Sequence, residues 1–168
     1  MNVYPIEAGN FKLDGGAMFG VVPKSLWTKT NPADADNMIE MSSRCMLVEN
    51  SDKLILVDTG MGDKQSEKFF KYYKRWGSDN LVKSINSAGF SIDDVTDVLL
   101  THLHFDHCGG AVAWDSSKEA YDVLFKNANY WSNEKHWDWA TSPNPREKAS
   151  FLDENLFPIK ESGQLKFI

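Results

Sequence analysis

The run Thr101-His102-Leu103-His104-Phe105-Asp106-His107-Cys108-Gly109-Gly110 constrains this chain more than any other segment. It holds all but one of the chain's 4 histidines, with a carboxylate between them. Imidazole and carboxylate are ligands of hydrolytic zinc. His102 and His104 stand two apart, and in an extended segment side chains two apart share a face, so both rings can reach one ion. A helix would need a spacing of three or four. Asp106 and His107 are adjacent and diverge unless the chain turns, and Gly109 and Gly110 can supply that freedom. Upstream, Val95-Thr96-Asp97-Val98-Leu99-Leu100 reads as a short buried strand. The spacing therefore predicts a loop leaving a strand end, with His102 and His104 for one ion and Asp106 with His107 for a second. The competing reading is a solvated polar loop, but chance rarely sets His-x-His-x-Asp-His directly after an apolar strand.

The rest of the chain alternates strand and helix signals. Val3 to Leu13 suggests one or two strands, and Gly15 to Lys29 a glycine- and proline-bearing loop. Arg44 to Glu49 and Lys53 to Asp58 read as a hairpin around Asn50-Ser51-Asp52. Helices are predicted from about Gln65 to Trp76 and from Asn80 to Ala88, with Gly89 as a C-cap. Tyr121 to Phe125 and Asn129 to Trp131 read as strands or strand–helix joints. Ser132 to Ala140 reads as a short helix with Ser132 as its N-cap. Pro143 and Pro145 mark a loop, and Gly163 to Ile168 alternates like a strand that has just begun.

Composition narrows the function classes. A chain of 168 residues with 42% hydrophobic content predicts one globular domain. No apolar run approaches membrane-spanning length, and the N-terminus lacks the basic and apolar regions of a signal peptide. A cytoplasmic location is the expectation. Cys45 and Cys108 cannot build a disulfide framework. Cys45 reads as a small buried strand residue and Cys108 as a small residue packed beneath the loop. A net charge of −6 disfavours nucleic acid. The densest basic stretch, Lys64 to Arg75, alternates with Phe69, Phe70, Tyr72, Tyr73 and Trp76 at helical spacing. It predicts an amphipathic helix with aromatics on the sheet and lysines in water. The expected partner is a small-molecule substrate, with neither nucleic acid nor membrane, and the oligomeric state is left open.

The histidine run resembles the metal-binding signature of the metallo-β-lactamase superfamily. Leu54-Ile55-Leu56-Val57-Asp58-Thr59-Gly60-Met61-Gly62 resembles the strand and Asp-x-Gly turn that precede the metal loop there. Asp14 to Lys24, with Trp27, resembles the opening of the branch that includes quorum-quenching N-acyl-homoserine lactonases. The resemblance implies an α/β (α+β) fold, an αββα sandwich of two αβ halves with metals at their shared edge. This chain would supply mainly the N-terminal αβ half. The resemblance also implies that His102 and His104 bind a first metal, and Asp106 and His107 a second. The metals would be two zinc ions, with iron or manganese as alternatives. Asp58 would orient a ligand histidine; read from its own residues, it is equally a turn aspartate bonding its backbone. Met18 and Phe19, with Trp27, could wall an apolar substrate pocket or cover the sheet edge.

The chain departs from the family pattern after the motif. The superfamily completes its site with a further histidine, a bridging aspartate and a last histidine, and only His136 remains outside the motif here. His136 reads as a surface or packing residue, not a ligand. The expectation is a single domain over residues 1–168 that is incomplete at its C-terminus, with the remaining ligands beyond Ile168. Such a chain would be inactive alone, because each ion would be under-coordinated. The function expected is a metal-dependent hydrolase using a metal-activated water, opening a lactone or a related ester, with Asp106 passing a proton to the leaving oxygen. The alternatives are a thioesterase, phosphoesterase or organophosphate hydrolase, a non-hydrolytic di-iron member, and a non-enzymatic half-domain.

Overall fold

The computed structural model describes residues 1–168. A long antiparallel ladder opens the chain, β1 (Asn2–Asp14) on β2 (Met38–Asn50). Its register shifts between Glu7 and Asn10, where Gly9 takes φ +124°; such a bulge bends and twists an edge strand. The segment between the two strands is not the plain loop expected. It forms α1 (Gly15–Phe19) and α2 (Lys24–Trp27). The cause is local: Asp14 Oδ1 accepts the Ala17 N–H at 2.8 Å, which starts a helical turn.

β3 (Lys53–Val57) returns antiparallel to β2 over the turn at Ser51 and Asp52, as the hairpin signal predicts. Then follow α3 (Glu67–Tyr73), capped by Ser66, and α4 (Leu81–Ser87), capped by Asn80. Gly89 lies beyond the end of α4 at φ +93°, consistent with its expected place. β4 (Asp97–Leu99) runs parallel to β3 and leads to α5 (Phe105–Cys108). A small antiparallel pair follows, β5 (Val112–Trp114) and β6 (Tyr121–Val123). β7 (Asn129–Ser132) adds parallel to β4. After α6 (Glu134–Thr141) and α7 (Asp153–Glu161), β8 (Leu165–Phe167) adds parallel to β7. The main sheet has the order β1-β2-β3-β4-β7-β8.

Helices cover one face of this sheet. Ile6, Leu47, Leu56, Val98 and Tyr130 point into that face and are fully buried. Against them pack Ile85 of α4, Trp137 and Ala140 of α6, and Leu156 and Ile159 of α7. Residues one step along each strand face the other way. Of these, Val3 and Met46 are exposed, and Val48, Ile55, Val57, Leu99 and Trp131 are half-buried. The period of two thus assigns one face to the core and leaves the other partly exposed, with these apolar side chains on it. This is one αβ half of the αββα sandwich.

Three local expectations change. Ser132 does not cap α6: it is buried in β7, and Asn133 Oδ1 takes the capping role by accepting the His136 N–H at 3.2 Å. The aromatics around α3 divide. Phe69, Phe70 and Tyr73 pack on a small cluster of Phe11, Met61 and Phe105, while Tyr72 and Trp76 are exposed. Lys64 is not in water but 4% exposed, because Nζ donates to the Gly109 carbonyl. No helix is long and apolar enough to cross a membrane.

Candidate metal centre

The site sits where parallel strands β3 and β4 end. Beyond β4 the chain runs outside strand and helix through His102 and Leu103, and α5 begins with His104, itself extended, at its N-cap. The turn that brings Asp106 beside His107 is this helix. Gly109 and Gly110 are not its source, and their role differs from the conformational one expected. A Cβ on Gly109 would overlap the Met61 carbonyl, and a Cβ on Gly110 the Thr59 carbonyl. The glycines let the histidine-bearing loop lie directly on the turn after β3. Hydrogen bonds lock the two together: the Thr59 N–H and hydroxyl donate to His107 O at 2.8 and 2.9 Å, and the Gly110 N–H donates to Gly60 O at 2.9 Å. Beneath the loop Cys108 is fully buried and its thiol donates to Leu103 O.

The three imidazoles of the motif crowd together. The His102 ring centroid lies 4.7 Å from that of His104 and 3.9 Å from that of His107. Asp58 leaves β3 at φ +59°, a conformation that aspartate tolerates better than most residues. Its Oδ2 sits 2.8 Å from His107 Nδ1. A carboxylate there keeps a proton on Nδ1, so Nε2 is the nitrogen that a metal could take. That Nε2 lies 3.5 Å from Asp106 Oδ2.

Thr101 extends the arrangement, a role that reading the motif residue by residue misses. Its N–H donates to Asp58 at 2.9 Å, and its hydroxyl lies 2.9 and 2.8 Å from the two Asp58 oxygens. The single hydroxyl proton goes to the carboxylate, so Thr101 Oγ1 can accept from His102 Nδ1 at 3.2 Å. His102 Nε2 is then left as a lone pair. One aspartate thus sets the ring tautomers of two histidines.

The electrostatics follow from burial and these bonds. Burial works to raise the Asp58 pKa, but hydrogen bonds from His107 and Thr101 outweigh it and hold the carboxyl below its ordinary value. Burial works to lower His107, but the bond to Asp58 and the charges of Asp106 and Asp58 raise it. Burial, then the neighbouring His107 and His104, push His102 down to about 4, so its ring is neutral at pH 7.

The chemistry of these donors, and the spacing of one pair of them, suit a divalent metal. Two ligands on a tetrahedral zinc with bonds of about 2.0–2.1 Å stand roughly 3.4 Å apart, close to the separation of His107 Nε2 and Asp106 Oδ2. Neutral imidazoles and a carboxylate are the donors such an ion takes. No three His, Cys, Asp or Glu side chains converge on a single point.

His136 stands beside the loop, not within the ligand group. It is half-buried, and its Nε2 accepts the Leu103 N–H at 3.0 Å, a closer involvement than a surface or packing residue has. Phe151 packs against both His104 and His136. Met18 is exposed, and Phe19 stacks on Trp27 with centroids 5.0 Å apart. The hollow beside His107, about 120 Å³, is walled by Phe11, Met41, Cys45, Asp58 and Asp106. Met18 and Phe19 do not line it, because the turn capped by Asp14 folds their segment onto Trp27.

Comparison with known proteins gives the same architecture. The model of the metallo-β-lactamase superfamily matches residues 39–165. An N-acyl homoserine lactonase from Bacillus cereus is 28% identical over 104 residues, which are 56% of this chain and 40% of the lactonase. A protein of Mycobacterium bovis named a probable metallo-hydrolase is 31% identical over 108 residues, 56% of this chain and 35% of its own. Among solved structures, a probable metal-dependent hydrolase from Staphylococcus aureus superposes with a TM-score of 0.88 at 30% identity. The match covers 99% of this chain and 58% of that one. AidC, a dizinc quorum-quenching lactonase solved with a product, superposes with a TM-score of 0.70 at 25% identity, covering 99% and 57%. The chain spans 35–40% of these curated relatives and 57–58% of these solved ones.

Proposed function

The chain belongs to the metallo-β-lactamase superfamily, and from that premise we propose that it is the metal-binding half of a hydrolase that opens a lactone or a related ester. The observation that carries this reading is the pairing of His107 Nε2 with Asp106 Oδ2 at 3.5 Å, with Asp58 fixing the far side of the ring at 2.8 Å. Relatives named lactonases on both the sequence and the structure side support the substrate class.

In this reading His102 and His104 hold one ion, and Asp106 and His107 hold a second. Zinc bound there supplies Lewis acidity, which polarises a carbonyl and lowers the pKa of water to about 7. The protein residues do the rest. Asp58 and Thr101 keep His102 and His107 in the tautomers that leave Nε2 available. Asp106 would take at its carboxylate the proton lost by the attacking water and return it to the ring oxygen as the carbonyl–oxygen bond breaks. A lactone suits this arrangement: it is neutral, offers one electrophilic carbonyl, and keeps its leaving oxygen on the same molecule. Each pair leaves zinc short of the four ligands it takes. We place the remaining ligands in the part of the fold that this chain does not contain, a reading supported by its 58% coverage of the Staphylococcus aureus structure.

The test is metal content and turnover of the complete protein. Two zinc ions per chain are expected, with an N-acyl homoserine lactone hydrolysed faster than a thioester or an aryl phosphoester. Asp106→Ala is expected to lose one zinc and most of the turnover. A protein that retains no zinc, or a variant with unchanged zinc and rate, would overturn the assignment. A phosphoester cleaved fastest would move the substrate class and leave the metal site standing.

A further inference from the structure

We propose that His136 is a positioning residue of the metal loop: by accepting the Leu103 N–H at Nε2, it fixes the backbone between His102 and His104, whose ring centroids lie 4.7 Å apart. The proposal rests on reading those two histidines as ligands of one ion.

Leu103 lies between the two candidate ligands, and every handle it has is engaged. Its side chain is fully buried, its carbonyl accepts the Cys108 thiol, and its N–H donates to His136 at 3.0 Å. The N–H needs this partner. Leu103 falls between the end of β4 at Leu99 and the start of α5 at Phe105, so no ladder or helix bond is on offer. A peptide free to rotate there would change the direction of the His102 side chain relative to that of His104, since backbone conformation sets where neighbouring side chains point.

His136 is itself rigidly placed. It lies in the first turn of α6, its own N–H is held by Asn133 Oδ1 at 3.2 Å, and Trp137 and Ala140 anchor the helix in the core. Phe151 spans the two histidines, 5.9 Å from His136 and 4.9 Å from His104 between ring centroids. The acceptor thus comes from a packed helix 33 residues along the chain, so the loop is tied to the core and not only to itself.

Two substitutions separate an acceptor from a packing ring. His136→Phe keeps an aromatic ring against Phe151 and removes the acceptor. His136→Gln removes the ring and keeps an oxygen able to accept the Leu103 N–H. Two readouts apply to the complete protein: hydrogen exchange at the Leu103 amide without metal, and Co²⁺ affinity by competition with a chelator. In His136→Phe the amide is expected to lose protection and Co²⁺ affinity to fall about 10–100-fold, the usual cost of losing a group that supports a ligand. His136→Gln is expected to stay close to wild type in both. The reverse order, or a His136→Phe protein with native protection and affinity, would overturn the proposal. A wild-type protein that binds no Co²⁺ would overturn the ligand reading. The two failures are distinguishable, because exchange in the metal-free protein still ranks the variants by whether His136 holds the loop.

Discussion

Lys64 offers a quantitative check on how the metal loop is seated. Its Nζ donates to the Gly109 carbonyl at the C-terminal end of α5, and the residue is 4% exposed. Burial pushes the ammonium from 10.5 down to about 8, against the opposing pull of Cys108, Glu154 and Asp63. At 1.36 kcal/mol per pKa unit, such a shift means that carrying the charge in the folded state costs about 3 kcal/mol. The folded pKa lies below the unfolded one, so between pH 8 and 10.5 the unfolded chain binds more protons. Stability therefore rises with pH through that window. The cost is about 3 kcal/mol at pH 7 and falls to about 2 kcal/mol at pH 9. Cys45 and Cys108, both pushed up to about 12 by burial, act in the opposite direction as pH rises above 9. They are present in both proteins compared and largely cancel in the difference. Lys64→Met removes the charge but leaves the Gly109 carbonyl without its donor, a loss of about 1–3 kcal/mol. At pH 7 the variant is expected to be as stable as wild type or up to about 2 kcal/mol more stable. Urea unfolding of both proteins at pH 7, 8 and 9 measures the gap, which should shift toward wild type by about 1 kcal/mol from pH 7 to 9. A gap that is constant across that range would refute the claim that Lys64 is a buried ammonium under the loop.

Two further outcomes follow from the same region. Asp58→Asn can keep the left-handed backbone at φ +59° but loses the carboxylate that orients His102 and His107. Zinc affinity of the complete protein should fall about 10–100-fold by chelator competition, and an unchanged affinity would remove Asp58 from the site. Gly110→Ala drives a methyl group into the Thr59 carbonyl. It should destabilise the protein by about 1–3 kcal/mol or more, read from the urea midpoint, and a neutral result would mean that the loop does not lie on the turn as described.

What could be read from the sequence was periodic or local. The alternation that buries Cys45, Leu47, Leu54 and Leu56 is visible by eye, and so is the Asn50-Ser51-Asp52 turn that joins their strands. The candidate ligands fall within one short run, so their spacing could be weighed directly. The groups that support that run are scattered. Asp58, which the family resemblance had pointed to, and Lys64, which nothing had, flank the turn after β3, His136 sits on α6, and Phe151 lies just before α7. Each acts through an atom tens of residues distant, often a backbone carbonyl or amide that carries no sequence signature. Lys64 shows the limit most clearly: among five basic residues between positions 64 and 75 nothing marks it as the buried one. Its partner is the carbonyl of Gly109, 45 residues on. The glycine pair shows the same limit from the other side. A local reading assigns Gly109 and Gly110 conformational freedom, whereas the tertiary structure uses them for what they lack, the Cβ atoms that would strike Met61 and Thr59. Missing side chains and long-range polar bonds appear only once the strands have brought distant segments together. A site of this kind therefore shows its candidate ligands in the sequence, while the precision with which they are held is a property of the closed fold.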